Sequence, residues 1–268
     1  MEILNDLFGG DLFAGLGDLS RVLLAMLFVA VAALISRWQR ADLEKDLFWA
    51  TVRSFVQLIA IGYLLELIFQ QDNPVWTLLL LGVMVLIAAR TTGRRGENTP
   101  RATLIALVSI GFGTALTIGV LVLLDVFAFT PQAIIPIGGM IVGNAMTTAT
   151  LVIVRLSDDL AAQRNEVETK LALGATGRQA SLTQFRRALQ SAMVPIIDTT
   201  KTVGLIKLPG AMTGMILAGA SPIEAVQLQL IVMYMLVGAN TFTGLSAAFL
   251  TYRAFFSPAQ QLRVVGQP

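Results

Sequence analysis

Residues 102–124 read ATLIALVSIGFGTALTIGVLVLL and carry no charged side chain. An apolar block near 20 residues long is what a helix needs to cross about 30 Å of hydrocarbon. Working outward from it, six more blocks of this kind can be read, at Val22–Ser36, Phe48–Phe69, Val75–Ala89, Ile134–Val154, Val203–Gly219 and Ala225–Phe249. The chain of 268 residues is 55% hydrophobic and 13% charged, with a mean hydropathy of +0.74. Soluble domains are about one quarter charged. The expected fold is therefore all-α, a polytopic transmembrane bundle of about seven spans.

Charge sets the expected orientation. Lys and Arg gather in alternate connections: Arg37, Arg40 and Lys45; the stretch RTTGRRGENTPR at 90–101; a long connection from Arg155 to Arg187; and the tail with Arg253 and Arg263. The intervening connections, QQDNP, the segment near Asp125 and AGASPIE, hold no basic residue. Basic loops stay cytoplasmic, so the N-terminus is expected outside and the C-terminus inside. The acidic start, MEILNDLFGGDLFAGLGDLS, lacks the basic region of a cleaved signal peptide. A net charge of +2 with a pI near 9.2 reflects these loops and does not point to nucleic acid.

The chain has neither Cys nor His. That removes thiolate chemistry and the commonest proton shuttle and metal ligand, so a membrane-embedded enzyme would have few catalytic groups. A phosphate-wrapping GxxxxGK[ST] loop is absent too. If transport is ATP-driven, the ATPase is another polypeptide. The connection between the fifth and sixth spans is the natural place for it to dock, because bundle connections usually take only 2–8 residues. Ser157 is a plausible N-cap for a helix closing at Gly174. A second helix follows, with Leu182, Phe185 and Leu189 on one face and Arg186 and Arg187 on another. ETKLALG, from Glu168 to Gly174, is similar to the EAA-xxx-G loop that ATPases grip in ABC-importer permeases. Thr169 and Lys170 replace its alanines, and Pro195 lies farther on than usual. The other reading is a solvated hairpin lying on the membrane.

Ionisable groups are expensive inside a bilayer and each needs a reason. Asp198 and Lys201 are three apart, on one helix face and close enough to pair. They are either an ion pair at the cytoplasmic mouth of the sixth span or part of a translocation gate. Pro209-Gly210 breaks that span farther on, freeing carbonyls that survive only in protein or beside water. In the second span, Arg53 and Gln57 share a face, and Glu66 lies nearer the outer end; snorkelling and cavity lining both fit. Gly139 and Gly143 permit close helix contact. Asn144 in the fifth span and Asn240 in the seventh either cross-link helices or offer an oxygen to a solute. The methionines, Met140, Met146, Met212 and Met215 among them, read mainly as packing.

The stretch RALQSAMVPIIDTTKTVGLIKLPGAMTGMILAGASP (187–222) closely resembles FetB-type iron-export ABC permeases, relatives of the plant aluminium-tolerance permeases. VRSFVQLIAIGYLL (52–65), PIGGMIVGNAMTTATL (136–151) and LTYRAFF (250–256) match as well. The resemblance implies one permease domain over 1–268, with 157–192 as the coupling loop. It also implies a FetA-type ATP-binding subunit, a permease homodimer, and residence in a bacterial plasma membrane. ATP and Mg would sit on the partner, with no cofactor on this chain. Glu168, Lys170, Gly174, Arg186 and Arg187 are the expected coupling residues. Arg53, Gln57, Glu66, Asn144, Asp198, Lys201, Pro209, Gly210 and Asn240 are the expected path. The metal ligands are unknown, and the iron cargo rests on resemblance alone. Another metal, a nucleotide sugar, and an ATPase-independent transporter or channel stay open.

Overall fold

A computed structural model describes residues 17–39, 44–71, 73–206 and 208–263. The acidic N-terminal stretch expected outside the membrane falls outside them. The chain divides into two compact units, one through Gln71 and one from Asp72 onward. In the first, helices α1 (Gly17–Trp38) and α2 (Glu44–Gln71) pack together. The Ser36 hydroxyl donates to Glu44 Oε2 at 3.2 Å across their junction.

The second unit holds α3 (Pro74–Arg95), α4 (Ala102–Leu123), α5 (Pro131–Ala162), α6 (Arg164–Ala172), α7 (Gly177–Ala180), α8 (Leu182–Thr202), α9 (Gly210–Leu217) and α10 (Pro222–Phe255). Among the described residues, α2, α3, α4, α5 and α10 are long and apolar enough to cross a membrane. The protein is thus a helical, polytopic membrane protein.

Three apolar cores stack along α5. At one end Ile134, Ile137 and Ile141 meet Leu81, Ile118, Val232, Leu236 and Ala239. In the middle Val142, Ala145, Ala149 and Ile153 meet Ala88, Ala106, Ala192 and Ala248. Beyond the apolar span, Leu156 and Leu160 join Val167, Ala180, Ala188, Phe255 and Phe256. The alanines of the middle layer bring α3, α4, α5, α8 and α10 close. Polar links cross the same layers. Thr92 and Thr150 hydroxyls lie 2.9 Å apart, and Thr148 donates to Asn240 Oδ1 at 3.1 Å.

Two expectations are corrected here. Gly139 and Gly143 do not seat a neighbouring helix within the chain: a side-chain carbon added at either would have space around it. The close approaches fall at Gly113, against Thr243 and Ala239, and at Gly138, against Leu81. Nor does Ser157 cap a helix. It is buried within α5, which continues to Ala162 because Ile153, Leu156 and Leu160 keep apolar helical spacing into the third core.

At the far side of that core, Phe255 is fully buried. Phe255→Ala is expected to cost about 3–5 kcal/mol, the range for emptying a buried aromatic site. The loss should appear as faster amide hydrogen exchange across residues 164–188, with the membrane helices still protected.

Candidate functional site

The connection between α5 and α8 is a folded platform. It buries Val167, Gly177 and Ala180 against the ends of α5 and α10. Gln184 Nε2 donates to Gln163 Oε1 at 2.8 Å, fastening the start of α8 to the end of α5. The Gly177 N–H donates to Gln260 Oε1 at 2.6 Å, and the Phe256 ring is too close to Gly177 for any side chain there. A solvated hairpin would have none of these contacts.

The platform ends in a tip. Helix α6 stops at Ala172, and Gly174 adopts φ +89°, which L side chains rarely take. Leu173 is thereby left 82% exposed. Thr176 then restarts the chain with a capping box closed by Gln179. Gly174 is where the sequence places it, at the helix end. Leu173 went unnoticed, although an apolar residue before a helix-ending glycine was a usable signal.

The residues expected to couple lie on the outer side of the platform. Arg164 Nε donates to Glu168 at 2.7 Å, and Lys170 Nζ to Glu166 at 2.7 Å, both as i,i+4 pairs. The Lys170 hydrogen bond, then its charge, hold the Glu166 carboxyl below the usual carboxylate range; desolvation opposes them, and the Arg187 charge adds a lesser lowering. Arg186 and Arg187 are exposed on α8.

Helix α8 changes the reading of Asp198 and Lys201. They do not open the sixth span at its cytoplasmic mouth. Ala188 of α8 sits in the third core, Ala192 in the middle core and Ile196 in the first. The helix therefore runs down the bundle, and Asp198 lies about 15 Å beyond Ala188, at 1.5 Å per residue. Its buried face is Gln184, Ala188, Ala192 and Ile196. Its exposed face carries Arg187, Gln190, Ser191, Asp198 and Lys201, with Val194 and Ile197 among them. The expected Asp198–Lys201 ion pair does not form; both side chains are exposed. Nearby hydroxyls turn inward to their own helix, Thr200 to Ile196 O at 2.7 Å and Thr202 to Asp198 O at 2.8 Å.

The sixth span is not one helix. α8 ends at Thr202, and Gly204 has φ +83°. Pro209-Gly210 marks a break, as the sequence suggested, and not a kink in a continuing helix: Pro209 caps a new helix, α9, that starts at Gly210. Leu205 and Ile206 are 89% and 84% exposed in the break.

The other residues expected along a path have different settings. Asn240 is buried and accepts from Thr148, so its oxygen is engaged between α5 and α10. Asn144 donates to Met140 O at 2.9 Å, within its own helix. Arg53, Gln57 and Glu66 are exposed on α2, in the other unit. Among the described residues, no three acidic side chains gather where they could hold a metal ion.

Residues 19–256 match the Uncharacterised protein family (UPF0014). The chain belongs to UPF0014. It is 48% identical over 239 residues to Protein ALUMINUM SENSITIVE 3 of Arabidopsis thaliana, covering 89% of this chain and 88% of that one. It is 50% identical over 234 residues to UPF0014 membrane protein STAR2 of Oryza sativa subsp. japonica, covering 87% and 82%. It is 38% identical over 241 residues to the Probable iron export permease protein FetB of Escherichia coli (strain K12), covering 90% and 93%. No solved structure matches this UPF0014 chain.

Proposed function

We propose that this UPF0014 protein is the membrane-spanning permease of an ABC exporter, both units forming one permease domain, driven by a separate ATPase. The observation that carries this reading is α8. It is too polar to cross a membrane alone, yet it threads the length of the bundle with its polar face uncovered. An ionisable side chain at bilayer depth faces water or a partner. Gln190, Ser191, Asp198 and Lys201 would line a water-filled path, and the break at 203–209 would frame its far end, where irregular backbone needs protein or water. Two copies would face each other across that path in the plasma membrane, with the basic loops cytoplasmic.

The platform is where the ATPase would grip. Leu173 would enter an apolar groove on that subunit, with the α6 ion pairs and Arg186–Arg187 around it as a polar rim. Because the third core joins the platform to α5, α8 and α10, a push on the tip would reach the path helix. ATP and Mg would stay on the partner. Iron is the cargo we propose, supported by the relative named Probable iron export permease protein FetB. The plant relatives keep another cargo open, and scattered rather than clustered acidic side chains among the described residues suit weak, transient binding.

The absence of native cysteine allows a clean test. Single cysteines at 190, 191, 198 and 201 should react in membranes with an impermeant thiol reagent, and those at 188, 192 and 196 should not. Equal labelling of both faces, or protection of all seven, would contradict a path along α8. A second expectation concerns Gly174→Val. A branched side chain at positive φ costs about 1–2 kcal/mol and redirects the tip. ATP hydrolysis should persist while transport falls, with membrane insertion intact; unchanged transport in vesicles would count against this coupling role.

A further inference from the structure

Three arginines from separate stretches converge on one cavity that the path does not use. It has a volume of about 320 Å³ and lies between the start of α4 and the end of α10. Arg101, Arg253 and Arg263 line it. None of the three forms an ion pair among the described residues, and no carboxylate is among the lining residues. Like charges gathered without a counterion favour an anionic ligand, and planar guanidiniums suit phosphate oxygens in particular.

The cavity is built by the fold. Arg101 holds a left-handed conformation, φ 57°, just before α4. The chain after α10 folds back through Ser257–Gln261, and the Arg263 N–H donates to Phe255 O at 2.7 Å. That return brings Arg263 beside Arg253, whose guanidinium already lies over the Phe249 ring at 5.6 Å to its centroid.

The other wall is apolar. Pro100, Leu104, Ile105, Val108, Leu250 and Ala254 make up the rest of the described lining. Leu104, Val108 and Phe112 are 54%, 48% and 51% exposed. Spaced four apart, they form a lane up α4 from the arginines toward the membrane interior. A free anion has no use for such a lane, whereas a headgroup carrying acyl chains does. The arginines also lie on the side that the basic loops mark as cytoplasmic, where anionic lipids concentrate.

We propose that this cavity binds the phosphate of an anionic phospholipid, with its acyl chains laid along Leu104, Val108 and Phe112. The test uses the full chain in neutral detergent, titrated separately with phosphatidylglycerol, phosphatidylcholine and inorganic phosphate. Thermal stability and native mass spectrometry provide two readouts. Phosphatidylglycerol should raise the melting temperature by several degrees and persist as one bound lipid per chain. Phosphatidylcholine and millimolar phosphate should do neither. The combined variant Arg101→Gln, Arg253→Gln, Arg263→Gln should weaken phosphatidylglycerol binding at least tenfold. Should that variant fail to fold, Arg263→Gln alone should weaken it about threefold, and the lipid count on the wild-type chain is an independent readout. Equal shifts with phosphatidylcholine, undiminished binding by the variants, or a phosphate effect matching that of the lipid would overturn the proposal. The last result would assign the cavity to free phosphate.

Discussion

Asp198→Asn is expected to lower export at least tenfold while leaving ATPase association unchanged. The substitution keeps size and one oxygen acceptor, replaces the other oxygen by an NH2 donor, and removes the charge. Two unit charges 4 Å apart at an effective dielectric near 20 interact by about 4 kcal/mol, so loss of the carboxylate should register strongly for a cationic cargo. Asp198 is exposed on α8 and, among the described residues, has no ion-pair partner to compensate. Asp198→Glu should retain most of the flux. Comparing the two in vesicles that carry the ATPase separates charge from structure. Equal flux in both would place Asp198 outside the path.

Leu173→Asp should have the opposite signature. The membrane bundle and path remain, but the ATPase is lost. An apolar anchor at an interface centre contributes about 2 kcal/mol or more, roughly thirtyfold in affinity, and a charge in its place must also be desolvated. Because Leu173 is 82% exposed and packs on nothing essential, chain stability should not change. Size-exclusion or pull-down titration of purified subunits gives the affinity directly. Retention of full ATPase affinity would remove the platform tip from the docking surface.

Much of the bundle was legible because length and hydropathy alone identify α3, α4, α5 and α10. Gly174 was legible as well, since a glycine after a helical run is a local signal. The depth of α8 was not. Its polar and apolar faces resemble those of a surface helix, and only Ala188, Ala192 and Ile196 packing into three successive cores shows that it enters the bundle. Ser157 misled for a related reason: a capping residue type is outweighed where the flanking apolar spacing continues into a core. The Gly139–Gly143 pair shows that small-residue spacing says a helix can be approached, not which neighbour approaches it; Gly113 has no such partner at i+4 and yet is the tighter contact. Asn240 illustrates the converse, a polar group that suggested a path and is engaged in a buried cross-link.

The central claim is that the chain conducts solute but does no work without its ATPase. The direct measurement is iron flux in liposomes reconstituted with the purified chain, with and without the ATPase that binds it, and with and without ATP. Flux should appear only when chain, ATPase and ATP are all present. Sustained flux through the chain alone would contradict the claim and identify a self-sufficient transporter or channel.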